Sequence, residues 1–275
     1  MNDMNRPPTY KEEVAQYTKR DAIHALLFFT FLLIVNVIPI PFLPTGFYLN
    51  LVYMSIELLI LFVILWKKGQ GLRSTGIHLL DWKKAIIVGL IFVVVILMLF
   101  DGLLPGFLWG WQMRSATIVI RTIAYILFFA FYEDVIFIGF LQTRIYGLVK
   151  KDWLAIGIGA LFFAVMHWPF FIRSAIESND GFAFNILVSL TVLTAAWMFM
   201  HCLMNTIFRH LRSIIPVTLF HFAWNLAGGN VQGGLWIDGY ENGINTFLSG
   251  GIAIGLIAII VWLILPQLRK RKVEK

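Results

Sequence analysis

The sequence predicts an all-α, polytopic membrane helical bundle, and three observations carry that prediction. Hydrophobic residues make up 59% of the 275 residues and charged residues 13%, where a soluble domain carries about 25% charged residues. The apolar residues fall in runs of about 20, the length at which a helix crosses a bilayer. The basic residues crowd into alternate connections, as in a chain that threads back and forth through a membrane.

Eight spans are expected, at 24–43, 47–66, 85–104, 117–143, 153–172, 183–204, 213–228 and 246–266, with both termini cytoplasmic. The seventh is short and the fourth long. Residues 1–23 are polar and mixed in charge, and no small-residue cleavage pattern follows the first apolar run, so that run is read as an anchor. The stretch 69–83 is expected to lie at the cytoplasmic interface, with His78 as a solvated surface residue. Pro169 is expected to kink or end the fifth span. All of 1–275 is read as one membrane domain, with a catalytic core at approximately 117–228.

Charge placement supports this threading. All 22 Lys and Arg except Arg114, Arg121 and Arg173 fall on the cytoplasmic side, Arg144 among them. The net charge of +7 is thereby explained by anionic lipid head groups, and no nucleic-acid partner is expected. Trp66, Trp82 and Trp153 form an inner aromatic belt, and Trp109, Trp111 and Trp236 an outer one. Gly251 and Gly255 mark a close helix contact in the last span. The single Cys202 rules out an internal disulfide and a thiolate metal site.

The exceptional stretch is Phe131-Tyr132-Glu133-Asp134-Val135-Ile136-Phe137-Ile138-Gly139, two adjacent acids inside an apolar span. A carboxylate at the bilayer centre costs about 2.5–3.5 kcal/mol on insertion scales. Two more polar patterns lie in later spans: His167 with Phe163 one turn before it, and His221 with Asn225 one turn after. At 1.5 Å per residue, Glu133 lies roughly 16 Å above the cytoplasmic end, His167 roughly 21 Å, His221 roughly 12 Å and Asn225 roughly 18 Å. Three spans thus carry an acid, two imidazoles and an amide at similar depth, which points to a hydrolytic site within the bilayer. His24 and His210 lie at inner span ends and are read as interfacial. His201 is read as an interhelical hydrogen-bonding residue or a supporting partner of the site.

These patterns resemble the CPBP intramembrane proteases, the family of type II CAAX prenyl endopeptidases and of bacteriocin-processing and immunity proteins. The family pattern is Glu-Glu-x-x-x-Arg, then Phe-x-x-x-His, then His-x-x-x-Asn on successive helices. Here it reads Glu133-Asp134-Val135-Ile136-Phe137-Ile138, Phe163-Ala164-Val165-Met166-His167 and His221-Phe222-Ala223-Trp224-Asn225. The resemblance covers roughly 117–228. It implies an intramembrane endopeptidase acting on membrane-embedded or membrane-tethered peptides, in which Glu133 and His167 activate water and His221 and Asn225 stabilise the oxyanion. No cofactor is expected. The alternative is zinc, held by Glu133, His167 and His221. The expected location is a bacterial plasma membrane, as a multi-pass protein.

Two positions depart from the family pattern. Asp134 replaces the second Glu, and Ile138 replaces the arginine. In the pattern the acid and the arginine stand four residues apart, suited to an ion pair; Asp134 is therefore expected to lack a partner and to be protonated. The competing readings are a non-catalytic membrane immunity or scaffold protein of the same fold, and a small proton-coupled transporter.

Overall fold

The structure, a computed structural model, describes residues 9–37, 47–78, 81–97, 115–177 and 184–227. The expected span 246–266, with Gly251 and Gly255, lies outside the described residues, as do Trp109, Trp111, Arg114 and Trp236. Among the described residues every regular element is helical. In order they are α1 (Tyr10–Ala15), α2 (Lys19–Val37), α3 (Phe47–Lys67), a 3-10 turn (Leu72–Thr75), α4 (Trp82–Leu97), α5 (Ala116–Asp134), a π-helical segment (Val135–Gln142), α6 (Thr143–Val149), α7 (Asp152–Glu177), α8 (Phe184–Leu211) and α9 (Ile214–Ala227). The stretches Leu49–Lys67, Val119–Val149, Asp152–Pro169 and Leu190–Leu211 are long and apolar enough to cross a membrane.

The helices turn apolar faces outward as well as inward. α2 buries Ala22, Ala25, Phe29 and Leu32, while Ile23, Leu27, Phe31 and Ile34 are exposed. α4 buries Ala85, Gly89, Phe92 and Ile96 and exposes Ile87, Leu90, Ile91 and Val94. Water would penalise such stripes, whereas lipid tails accept them. Trp66, Trp82 and Trp153 stand exposed, in keeping with an interfacial belt.

The chain forms two compact units, Met1–Gly76 with Val135–Asn205, and Ile77–Asp134 with Thr206–Lys275. In the first, the π segment is the centre. All eight of its residues are buried, as expected of a helix that is apolar on every side. Phe137 and Phe140 pack edge-on against Phe29 and Phe28 of α2, and Phe137 also against Phe163 of α7. The 3-10 turn closes on Gly139, where an added Cβ would lie 2.4 Å from the Thr75 carbonyl oxygen.

The fourth expected span is thus not one regular helix: α-geometry stops at Asp134 and resumes at Thr143. Propensity and periodicity do not register a π turn, which accommodates an extra residue through side-chain packing. Pro169 does not end its span either. α7 runs on to Glu177 with Pro169 inside it, the lost backbone bond being tolerable where neighbouring groups compensate.

Arg144 corrects another expectation. It is 1% exposed, not at a lipid head group. Its guanidinium donates to the carbonyls of Gly139 and Ser74 (2.9 and 3.1 Å) and to the side-chain oxygens of Thr143, Ser74 and Gln70 (2.7, 2.7 and 3.0 Å). It also lies over the Tyr17 ring, 4.3 Å from its centroid. The two terminal nitrogens of a rigid fork reach five acceptors only when several segments converge. Burial holds the Tyr17 phenol above its ordinary pKa, with Arg144 pulling the other way. Nearby, the Asp21 carboxylate accepts from Thr18 and from Lys68 at 3.0 Å. Partial burial favours its neutral form, but these bonds prevail and lower its pKa.

In the second unit, α9 packs against both α4 and α5. Gly89 lets α4 approach closely, since an added Cβ would meet Leu219 at 2.4 Å. Phe92 and Phe220 seal the contact edge-on at 5.4 Å. His78 is half-buried and hydrogen-bonds the Arg212 carbonyl, so it is not the solvated residue that its polar neighbours imply.

Two outcomes test this packing. Gly139→Ala should lower the melting temperature in detergent, reflecting overpacking of about 1–3 kcal/mol, while Gly157→Ala, with open space around it, should not lower it. For Asp21, whose pKa is depressed on folding, the contribution is complete above the unfolded value of about 3.9 and fades as pH falls below it. The melting gap between wild type and Asp21→Asn should therefore narrow from pH 7 to pH 2; a widening gap would contradict the assigned bonds.

Candidate active site

The second unit gathers two acids and one imidazole. α5 delivers Glu133 and Asp134 as its last two residues, buried to 5% and 1% exposure. α9 delivers His221, 4% exposed. Its start is set locally: the Ile215 amide donates to the Ser213 hydroxyl at 3.4 Å, and Pro216 occupies the first turn, where its missing N–H leaves no gap. Thr218, His221 and Asn225 then recur three and four residues apart on one face. Asn225 is half-buried, one turn beyond His221.

His221 is held at both ring nitrogens. Nδ1 lies 3.0 Å from Asp134 Oδ1, and Nε2 lies 3.5 Å from Glu133 Oε2. Successive helical side chains diverge by about 100°, so adjacent acids form a notch, and the two nitrogens of one ring fit its sides. A carboxylate oxygen accepts, so Nδ1 carries the hydrogen on the Asp134 edge. Thr218, on the same face of α9, is buried as well.

This corrects the reading of Asp134 as an acid without a partner. Its partner comes from α9 rather than from its own helix. Ile138 is fully buried, 0% exposed, and needs no counter-charge. Spacing along one helix does not reveal a partner 87 residues away; the available signal was the histidine at similar depth in a later span.

His167 belongs to the first unit, on α7. Its Nδ1 hydrogen-bonds the Phe163 carbonyl at 2.8 Å, and its ring stacks on Trp197 with centroids 4.7 Å apart. A carbonyl only accepts, so Nδ1 carries the hydrogen and Nε2 the lone pair. In the same unit His201 Nε2 meets Gln142 Oε1 at 2.8 Å, with Asn205 bonded to the same amide. This is the interhelical role expected of His201.

Zinc in a catalytic site takes three protein ligands as a rule. Among the described residues no three His, Cys, Asp or Glu side chains form a group able to hold a metal ion. On the Glu133–His221 edge two donors face each other, and Asp134 is turned to the opposite ring nitrogen.

Apolar spans enclosing an acid–imidazole pair define a multi-pass integral membrane protein with the groups of a hydrolase. Residues 114–227 match the family described as type II CAAX prenyl endopeptidase Rce1-like. The matched region holds Glu133, Asp134, His167, His221 and Asn225, and over that stretch the chain is similar to this family. No curated protein and no solved structure matches it.

Proposed function

We propose that the protein is an endopeptidase that cleaves membrane-embedded or membrane-tethered peptides, in a bacterial plasma membrane, by a glutamate-based route without metal. The observation that carries this is the buried contact between Glu133 and His221, 3.5 Å apart, inside the region that matches a protease family. Glu133 takes a proton from water as the water oxygen bonds to the scissile carbonyl carbon. The negative charge then gathers on the carbonyl oxygen. His221, with a hydrogen on each ring nitrogen, and Asn225, one turn apart on α9, donate hydrogen bonds to that oxyanion. The carbon–nitrogen bond breaks, and the proton held by Glu133 passes to the departing amine. Family resemblance assigns His167 a share in activating the water, and its Nε2 lone pair suits an acceptor.

Ile138 favours one other reading, a non-catalytic immunity or scaffold protein, because the family pattern has an arginine there. Comparing membrane peptidomes of cells carrying wild type and Glu133→Gln separates the two. Proteolysis predicts wild-type fragments that vanish in the variant, a loss of about 10²–10⁴ in rate. Identical peptidomes with intact cellular function would support the scaffold. Chelator treatment of purified protein should leave cleavage of a fluorogenic farnesylated CAAX peptide unchanged. Loss that zinc restores would overturn the metal-free route.

A further inference from the structure

We infer that Asp134 is a positioning residue of the catalytic site, holding the His221 ring so that Nε2 is presented at the Glu133 carboxyl. The inference deepens the proteolytic reading and rests on it for its kinetic consequence.

The geometry is specific. Nδ1 and Nε2 lie on opposite sides of an imidazole, and a histidine on a helix can rotate about its side-chain bonds to exchange them. Nothing on the Glu133 side alone, at 3.5 Å, selects one orientation. The shorter contact is the other one, 3.0 Å from Nδ1 to Asp134 Oδ1. With the carboxylate accepting there, the hydrogen is assigned to Nδ1 and the ring cannot turn over without breaking the bond. Both acids and the ring are almost fully enclosed, so bulk water does not compete for either nitrogen.

Side-chain length fits the task. Asp134 is the last residue of α5, and its carboxyl reaches Nδ1 from that position with one methylene. Asp134 itself is turned away from the Nε2 edge where the reacting groups meet. Its action is therefore transmitted through His221, as with an acid that orients a catalytic histidine from behind.

The test uses full-length protein in phosphatidylcholine–phosphatidylglycerol vesicles, with a fluorogenic farnesylated CAAX peptide as probe. In parallel, histidine nitrogen NMR reads the protonated nitrogen of His221, assigned by its loss in His221→Gln. Asp134→Ala should lower kcat about 100-fold with KM within about threefold, and should shift the His221 Nδ1 resonance. Asp134→Asn, which keeps the shape, should likewise shift it. Asp134→Glu, which restores an acceptor, should recover part of kcat. If wild type leaves the peptide intact but the resonance shifts in both variants, the positioning stands and the proteolytic reading fails for this substrate. If wild type cleaves and the variants match it, or if the resonance stays put, the positioning role is overturned while the proteolytic reading survives.

Discussion

An ionisable side chain in an apolar helix must find a partner of the same depth, because neither lipid nor water is there to solvate it. Two adjacent acids double that demand. His221 meets it for both at once, with one ring nitrogen on each carboxyl. Much of the second unit serves this meeting. Ser213 and Pro216 fix where α9 starts, Gly89 removes the side chain that would keep α4 at a distance, and Phe92 and Phe220 close the contact. The same packing that makes the helix pair compact therefore sets the spacing of the polar groups.

The π segment follows from a related constraint. Immediately after Asp134 the chain enters eight residues that are buried all round. A regular α-helix would distribute these over a fixed set of faces. The wider winding lets Phe137, Phe140 and Gln142 each reach a separate neighbour: Phe29 and Phe163, Phe28, and the His201–Asn205 pair. Such segments recur near functional sites, and here one directly adjoins the two acids. Arg144, just beyond it, fastens the 3-10 turn through Ser74 and the preceding Gln70. A charge that counts as a topology signal in the sequence is thus a structural clamp in the fold.

The helical class and the apolar spans were legible because hydropathy and length suffice to place them. Similar depth grouped Glu133, His167, His221 and Asn225 into one expected site, and within the second unit His221 meets Glu133. What stayed hidden depends on lateral arrangement. Asp134 has its partner on another helix, which spacing along its own helix does not show. His78 was placed in solvent because its neighbours are polar, although a backbone carbonyl awaited it. Pro169 does not end its helix, since the rule against proline inside a helix assumes that nothing else compensates the freed carbonyl.

Asp134 and Ile138 make most sense when taken together. In the family pattern the second acid is long and has an arginine four residues on, so its charge can be balanced within a single helix whatever the neighbouring helices do. In this chain the acid is one methylene shorter and the arginine is gone. The balance is instead tertiary: Asp134 depends on α9 for its hydrogen bond, and His221 depends on α5 for its orientation. A helix-local pair persists when helices separate, whereas this one dissolves. The two departures transfer the job of settling the buried charge from one helix to the contact between two, and tie the order of the site to the packing of α5 against α9.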